Sequence, residues 1–345
     1  MSRRSRHAVL GALILGASTI LTACSSSGAS LRPSASDVSV PPVTASAPPA
    51  ASPSPVSPSP VAAFPVTVTD DEGTTVEIPT EPQRIVSLTP ATTEILFTLG
   101  AGSRVVATTD FDDYPPEAVT LPDVASYTAV DVEKIVGLET DLVIAGGNFF
   151  NDPAAITQLR ELGVPVIVTY APDIATVLKD IELVGTAVGR ASEARDLTAA
   201  MRADFDQVQA ATADLPKPRV FYELDSTTDI YTAADDSFVA EMIELAGGDP
   251  ITTGSPTDFS ISIEKLVAAD AEVIVLGDSV YGVTAEAVAA RPGWDVMTAV
   301  KTGDIRGVND LVVTRPGPRL VEGLRELAQA IHPAVSVPSP APVAP

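Results

Sequence analysis

The stretch ASEARDLTAAMRADFDQVQAATADL, residues 191–215, decides the architecture of this chain. Leu197, Met201, Phe205 and Val208 recur at three- and four-residue spacing, which places them on one stripe of a helix. Arg195, Asp196, Arg202, Asp204, Asp206 and Gln207 fill the other faces. A helix this long, apolar on one side only, packs one face and wets the rest. That is the pattern of a brace between two domains. Pro216 and Pro218 end it.

On both sides of the brace, short apolar strands alternate with helical segments. Before it come a strand at Arg84–Leu88 and a helix opened by Thr89 and Pro90 that runs to about Leu99. Strands at Val105–Ala107, Asp141–Ala145 and Val164–Val168 follow, with helices at Val130–Leu138, Ala154–Leu162 and Ala175–Gly189. After the brace come strands at Arg219–Tyr222, Val273–Leu276 and Asp304–Val308. Helices are expected there at Ser237–Ala246 (closed by Gly247-Gly248), Ala285–Arg291 and Arg319–Ile331. This alternation predicts an α/β fold with parallel sheets covered on both faces. Ahead of it, Val66–Thr69 and Thr74–Ile78 flank Asp70-Asp71-Glu72-Gly73, a hairpin whose turn needs a positive φ at Gly73.

The two halves echo each other. Asp131–Ile144 and Ser262–Val275 both read Glu-Lys, an apolar pair, a short spacer, an acid and an apolar strand. Two unrelated amphipathic helices would share the apolar positions but not Glu133-Lys134 and Glu264-Lys265.

The flanks are of a different kind. Arg3, Arg4 and Arg6 precede an apolar run from Ala8 to Ala23, and Leu21-Thr22-Ala23 leads into Cys24. This predicts a lipoprotein signal peptide over residues 1–23, with the lipid carried on Cys24. Ser-, Pro- and Ala-rich sequence over 24–64 cannot bury a core and reads as a disordered, semi-rigid tether. A similar tail covers 333–345. The expected order is then an N-terminal lobe over 65–190, the linking helix over 191–215 and a C-terminal lobe over 216–332. The location that follows is the extracytoplasmic face of the cell membrane, by lipid anchor.

Composition removes several functions. Cys24 is the single cysteine among 345 residues, and the two histidines are His7 and His332. A Cys- or His-ligated metal site and a Ser-His-Asp triad lack their parts. The formal net charge of −24 makes nucleic acid a poor partner. Gly100-Ala101-Gly102 lies after a helix and before a strand, the reverse of a dinucleotide loop, and Val105 stands where the third glycine belongs. A nucleotide-binding enzyme is therefore the weaker reading, and neither a catalytic residue nor a resident cofactor is expected.

The segments together resemble the single-helix-linked substrate-binding proteins of ABC importers for vitamin B12, ferric siderophores and haem. The resemblance runs from about Pro65 to His332. It rests on Val68–Ile78, Pro82–Pro90 and Leu138–Ala145 in the first half, and on Phe221–Leu224, Leu245–Gly248 and Arg315–Arg319 in the second. Asp113-Tyr114-Pro115-Pro116 is closest to the vitamin B12-binding branch. The family implies two Rossmann-like lobes on one rigid helix, with the ligand in the cleft between them. It also implies a corrinoid as cargo, with a ferric siderophore or haem as the alternative.

Residue by residue, the resemblance puts Tyr114 and Tyr127 against the corrinoid, and Asp310, Leu311, Thr314 and Arg315 on the last cleft loop. Glu133 and Glu264 match the lobe-tip pair that engages the permease. Two departures concern the ligand: Leu311-Val312-Val313 stands where the B12 binder has an aromatic, and the B12 binder's disulfide has no counterpart. Phe149, Phe150 and Tyr231 sit in loops after expected strands, where ligand contact is favoured. Trp294, after Pro292-Gly293, reads as a packed loop anchor.

Overall fold

The computed structural model describes residues 64–148 and 150–337. Cys24, the signal segment, nearly all of the tether, Phe149 and residues 338–345 lie outside the described residues. Among the described residues, no helix is long and apolar enough to cross a membrane.

The first lobe opens with an antiparallel hairpin, β1 (Val66–Thr69) and β2 (Thr75–Ile78). Gly73 takes φ +79° at its turn, the conformation a side chain would strain. The Asp70 carboxylate accepts from the amides of Thr74 (2.7 Å) and Glu72 (3.1 Å), which closes the turn. Next come β3 (Ile85–Ser87), α1 (Pro90–Thr98), β4 (Val105–Thr109), β5 (Asp123–Ser126) and β6 (Ala129–Val130). Then follow α2 (Val132–Gly137), β7 (Leu142–Gly146), α3 (Pro153–Glu161), β8 (Val166–Thr169) and α4 (Ile174–Ala187). The sheet order is β6-β5-β4-β3-β7-β8, parallel throughout except for β6. The central strands β3 and β7 are buried at every position, as strands covered on both faces must be. Asp70 also accepts from the Val168 amide (3.2 Å) and from Arg160 (2.9 Å), which ties the hairpin to β8.

The brace is α5 (Ala191–Thr212). The second lobe contains β9 (Arg219–Glu223), α6 (Phe238–Leu245), β10 (Asp249–Pro250), α7 (Ile263–Ala269) and β11 (Val273–Leu276). It continues through α8 (Ala285–Ala289), α9 (Thr298–Thr302), β12 (Ile305–Gly307), α10 (Asp310–Val313) and α11 (Leu320–Ile331). Its sheet order is β10-β9-β11-β12, all parallel. The two-lobed α/β fold expected from the alternation is the one observed.

One apolar core runs through both lobes. Its residues come from the hairpin and from α1, α4, α5, α6 and α11, together with one face of each sheet. The stripe Leu197, Met201, Phe205 and Val208 of α5 lies in this core. Two smaller cores cover the opposite sheet faces, one per lobe. A core shared through the brace opposes independent movement of the lobes, because separating them exposes apolar surface at ~25 cal/mol per Å². Two polar links reinforce it. Arg325 of α11 donates to buried Asp204 of α5 (2.9 Å), and Glu241 of α6 accepts from the Ile174 amide at the start of α4 (2.8 Å).

The structure corrects the sequence reading in detail. Helix α5 stops at Thr212, three residues before Leu215; a residue preceding proline, here Leu215, is disfavoured in α conformation. The expected helix Val130–Leu138 is shorter, because Ala129–Val130 pairs with β5 instead. Strands β5, β6 and β10 and helices α9 and α10 were not foreseen; each is short, and two of the strands have only two residues. The C-terminal tail does not begin at Pro333: Val335 and Val337 pack against the main core, and the Val335 amide donates to the His332 carbonyl (2.9 Å). Phe64, placed in the tether, also packs there.

Candidate functional site

Parallel strands aim their C-terminal ends at one edge of a sheet, and the loops that follow are free to build a site there. Here these loops meet from both lobes around a cavity of about 770 Å³, within the size range of small-molecule sites. Thr89 and Pro90 follow β3, Phe111 and Asp113 follow β4, and Tyr127 follows β5. Gly147, Asn148 and Phe150 follow β7, and Tyr170 and Ala171 follow β8. From the second lobe, Tyr281 comes after β11, and Asp310, Leu311, Thr314 and Arg315 come after β12.

One wall is aromatic. Phe111 and Tyr127 stack with centroids 4.4 Å apart and planes 17° apart, and Phe150 meets Phe111 edge-on at 5.9 Å. Tyr127 is 78% exposed, so its contact surface is available to a ligand. Tyr170 and Tyr281, both exposed, also line the cavity, one from each lobe. The Phe150 loop is held from below. Buried Asn151 accepts from the Gly146 amide (2.7 Å) and donates to the Leu88 carbonyl (3.2 Å). At Gly146 a Cβ would lie 2.8 Å from Thr89 and 2.9 Å from the Phe150 ring, so only glycine lets that ring approach.

The charged lining is Asp113, Asp180, Asp310 and Arg315. Asp310 is fixed by two hydroxyls, Tyr222 (2.8 Å) and Thr314 (3.0 Å). Burial, with Asp310 beside it, pushes the Tyr222 phenol pKa up, so it stays a donor. Asp180 of α4 is pushed up to about 8, first by burial and then by the neighbouring Asp71 carboxylate.

Arg315 is not available to an anionic ligand. It donates to Glu94 of α1 (2.7 Å) and to Asp113 (2.6 Å), both in the other lobe. Burial works to lower its pKa, but the bonds to Asp113 and Glu94 outweigh that and raise it. Glu94, 1% exposed, also accepts two bonds from Arg319, whose guanidinium lies 4.1 Å over the Tyr114 ring. This ion cluster joins the lobes, and its members Arg315 and Asp113 line the cleft.

The structure therefore brings Tyr127, Asp310, Leu311, Thr314 and Arg315 together, and leaves two expected residues out. Tyr114 does not line the cavity; Arg319 lies over one face of its ring, and Phe111, three residues earlier, lines the cleft instead. Tyr231 is bridged to Asp225 and Ser260 and lies off the cavity. Phe149 is outside the described residues, while its neighbour Phe150 lines the site. Trp294 packs edge-on against Phe221 and under Arg291, as a loop anchor does. Phe111, Tyr170, Asp180 and Tyr281 were missed; a position in the segment that follows a strand was the signal that could have found the three aromatics. Glu133 and Glu264 sit exposed in the first turns of α2 and α7, one helix in each lobe. Among the described residues, no group of three or more His, Cys, Asp or Glu side chains is placed to hold a metal ion.

The periplasmic binding protein family matches residues 85–310. The chain is 36% identical over 273 residues to the uncharacterized ABC transporter substrate-binding lipoprotein YvrC of Bacillus subtilis, covering 78% of this chain and 86% of that one. It is 33% identical over 281 residues to the cobalamin-binding protein of Halobacterium salinarum, covering 77% and 74% of the two chains. Among solved structures, the periplasmic haem-binding protein RhuT from Roseiflexus sp. superposes with a TM-score of 0.65 at 28% identity, covering 74% of this chain and 99% of that one. With the strand-end cleft between two braced α/β lobes, these matches show that the chain belongs to the periplasmic binding protein family.

Proposed function

We propose that this chain is the extracytoplasmic substrate-binding lipoprotein of an ABC importer, and that it captures a corrinoid and delivers it to a membrane permease. It acts by binding and release, with no catalytic step and no resident cofactor. The observation that carries the ligand is the charge state of the cleft. Its walls are aromatic, its carboxylates are Asp113, Asp180 and Asp310, and Arg315, the one cation that lines it among the described residues, is already neutralised by Glu94 and Asp113. A large, flat, nearly neutral ring suits such a site. The propionates of haem or the anionic groups of a ferric siderophore would meet these acidic side chains with no free cation among the described lining residues to offset them. The similarity to a cobalamin-binding protein supports the same choice.

The test is titration of the soluble domain with cyanocobalamin, dicyanocobinamide, hemin and ferric siderophores, followed by calorimetry and visible absorption. A corrinoid is expected to bind and to hold its visible bands through gel filtration. Phe111→Ala is expected to weaken it by about 1–3 kcal/mol, the range for a central aromatic contact, while Tyr114→Ala has little effect. Tight binding of hemin or a siderophore with none of a corrinoid would move the assignment to that ligand.

The location rests on the segment that ends at Cys24. Two or three acyl chains on Cys24 exceed what stable membrane attachment requires. Cys24→Ser is expected to release the protein from the membrane fraction; a variant that stays there sinks the lipid anchor.

A further inference from the structure

Asp180 is a buried acid that the capture of a flat ring does not by itself explain. It lies on α4, lines the cleft cavity and is 5% exposed. Its Oδ1 has no hydrogen-bond partner. A buried polar atom left without a partner is costly, and native structures keep few of them. The surroundings explain why Asp180 does not satisfy itself locally. The facing carboxylate, Asp71 in the β1–β2 turn, is already engaged: it accepts from Lys179 (3.0 Å) and from the Tyr170 amide (2.7 Å). Lys179 is therefore turned to Asp71, and the other nearby charge, Asp173, is a further carboxylate. Burial first, and then the Asp71 carboxylate beside it, push Asp180 up to about 8, so near neutral pH its carboxyl group is mostly protonated.

A neutral carboxyl group whose hydrogen is directed to Asp71 keeps one carbonyl-like oxygen as an acceptor. Asp180 lines the cavity, so this oxygen is the acceptor it can offer to a donor arriving there. Resting on the corrinoid reading above, we infer that Asp180 is a specificity-determining residue that accepts a hydrogen bond from a primary carboxamide at the rim of the ring. The chemistry it selects is a neutral N–H donor. A methyl ester in the same place offers no hydrogen and leaves Oδ1 unpartnered. A free carboxylate brings a charge among Asp71, Asp113 and Asp310.

The test compares two corrinoids that differ only in their periphery: dicyanocobinamide, which carries amides, and dicyano heptamethyl cobyrinate, which carries methyl esters. The wild-type protein is expected to prefer the amide form by about tenfold or more, the scale of one buried hydrogen bond gained against one left unmade. Asp180→Leu is expected to erase most of that preference. Asp180→Asn, whose amide donates to Asp71 and whose carbonyl still accepts, is expected to keep it. The readout is a ratio of affinities for two ligands with the same ring, so a general loss of folded protein cancels. An equal preference in wild type and Asp180→Leu, or no preference in wild type, overturns the assignment while the corrinoid reading stands. Binding of neither corrinoid overturns both.

Discussion

Replacing Glu94 by Ala is expected to lower stability by about 3–5 kcal/mol, the cost of removing one partner from a buried ion pair and leaving the other charge behind. Glu94 is 1% exposed and receives bonds from both Arg315 and Arg319, whose side chains are 11% and 19% exposed. None of these groups is wet enough for solvent to screen the loss. Both arginines belong to the second lobe and Glu94 to the first, so the variant also removes the link across the cleft wall. In thermal unfolding the midpoint should fall on the order of 10 °C. Asp113→Ala is the control. Its side chain is 43% exposed, so its bond to Arg315 is worth about 1 kcal/mol or less. If the two variants melt together, Glu94 is not the hub of the cluster.

The second large effect concerns transport. Glu133 and Glu264 occupy equivalent places, the first turn of a short helix in each lobe, capped by Asp131 and Ser262. Both are exposed, and neither takes part in the ion pairs described above. We expect the double variant Glu133→Ala, Glu264→Ala to abolish complex formation with the permease and uptake of labelled cyanocobalamin, while ligand affinity stays unchanged. If each glutamate only supports its own helix, the loss is about 0.3–1 kcal/mol per site and uptake persists. Uptake at the wild-type rate removes the docking role.

What the sequence by itself determined is what local pattern can encode. The stripe of α5 gave the brace, the alternation on either side gave two parallel α/β lobes, and Asp70–Gly73 gave the hairpin turn. These follow from periodicity and backbone preference over a few residues. The repeated Glu-Lys unit likewise placed two acids on matching helices.

Only the tertiary structure decided which side chains face the cleft and which are spoken for. Phe111 and Tyr114 stand three residues apart in one loop, and nothing local says that Phe111 joins the aromatic wall while Tyr114 lies under Arg319. Arg315 was expected on the last cleft loop, but nothing local says that Glu94, 221 residues away in sequence, takes its charge. Asp180 sits between Leu178 and Ile181 on a helix with a broad apolar face, and its burial depends on the hairpin that brings Asp71 against it. In each case the property is a contact between segments far apart in the chain. Such contacts depend on how the elements of one lobe pack and on how the two lobes meet at the cleft, and no short stretch of residues encodes that.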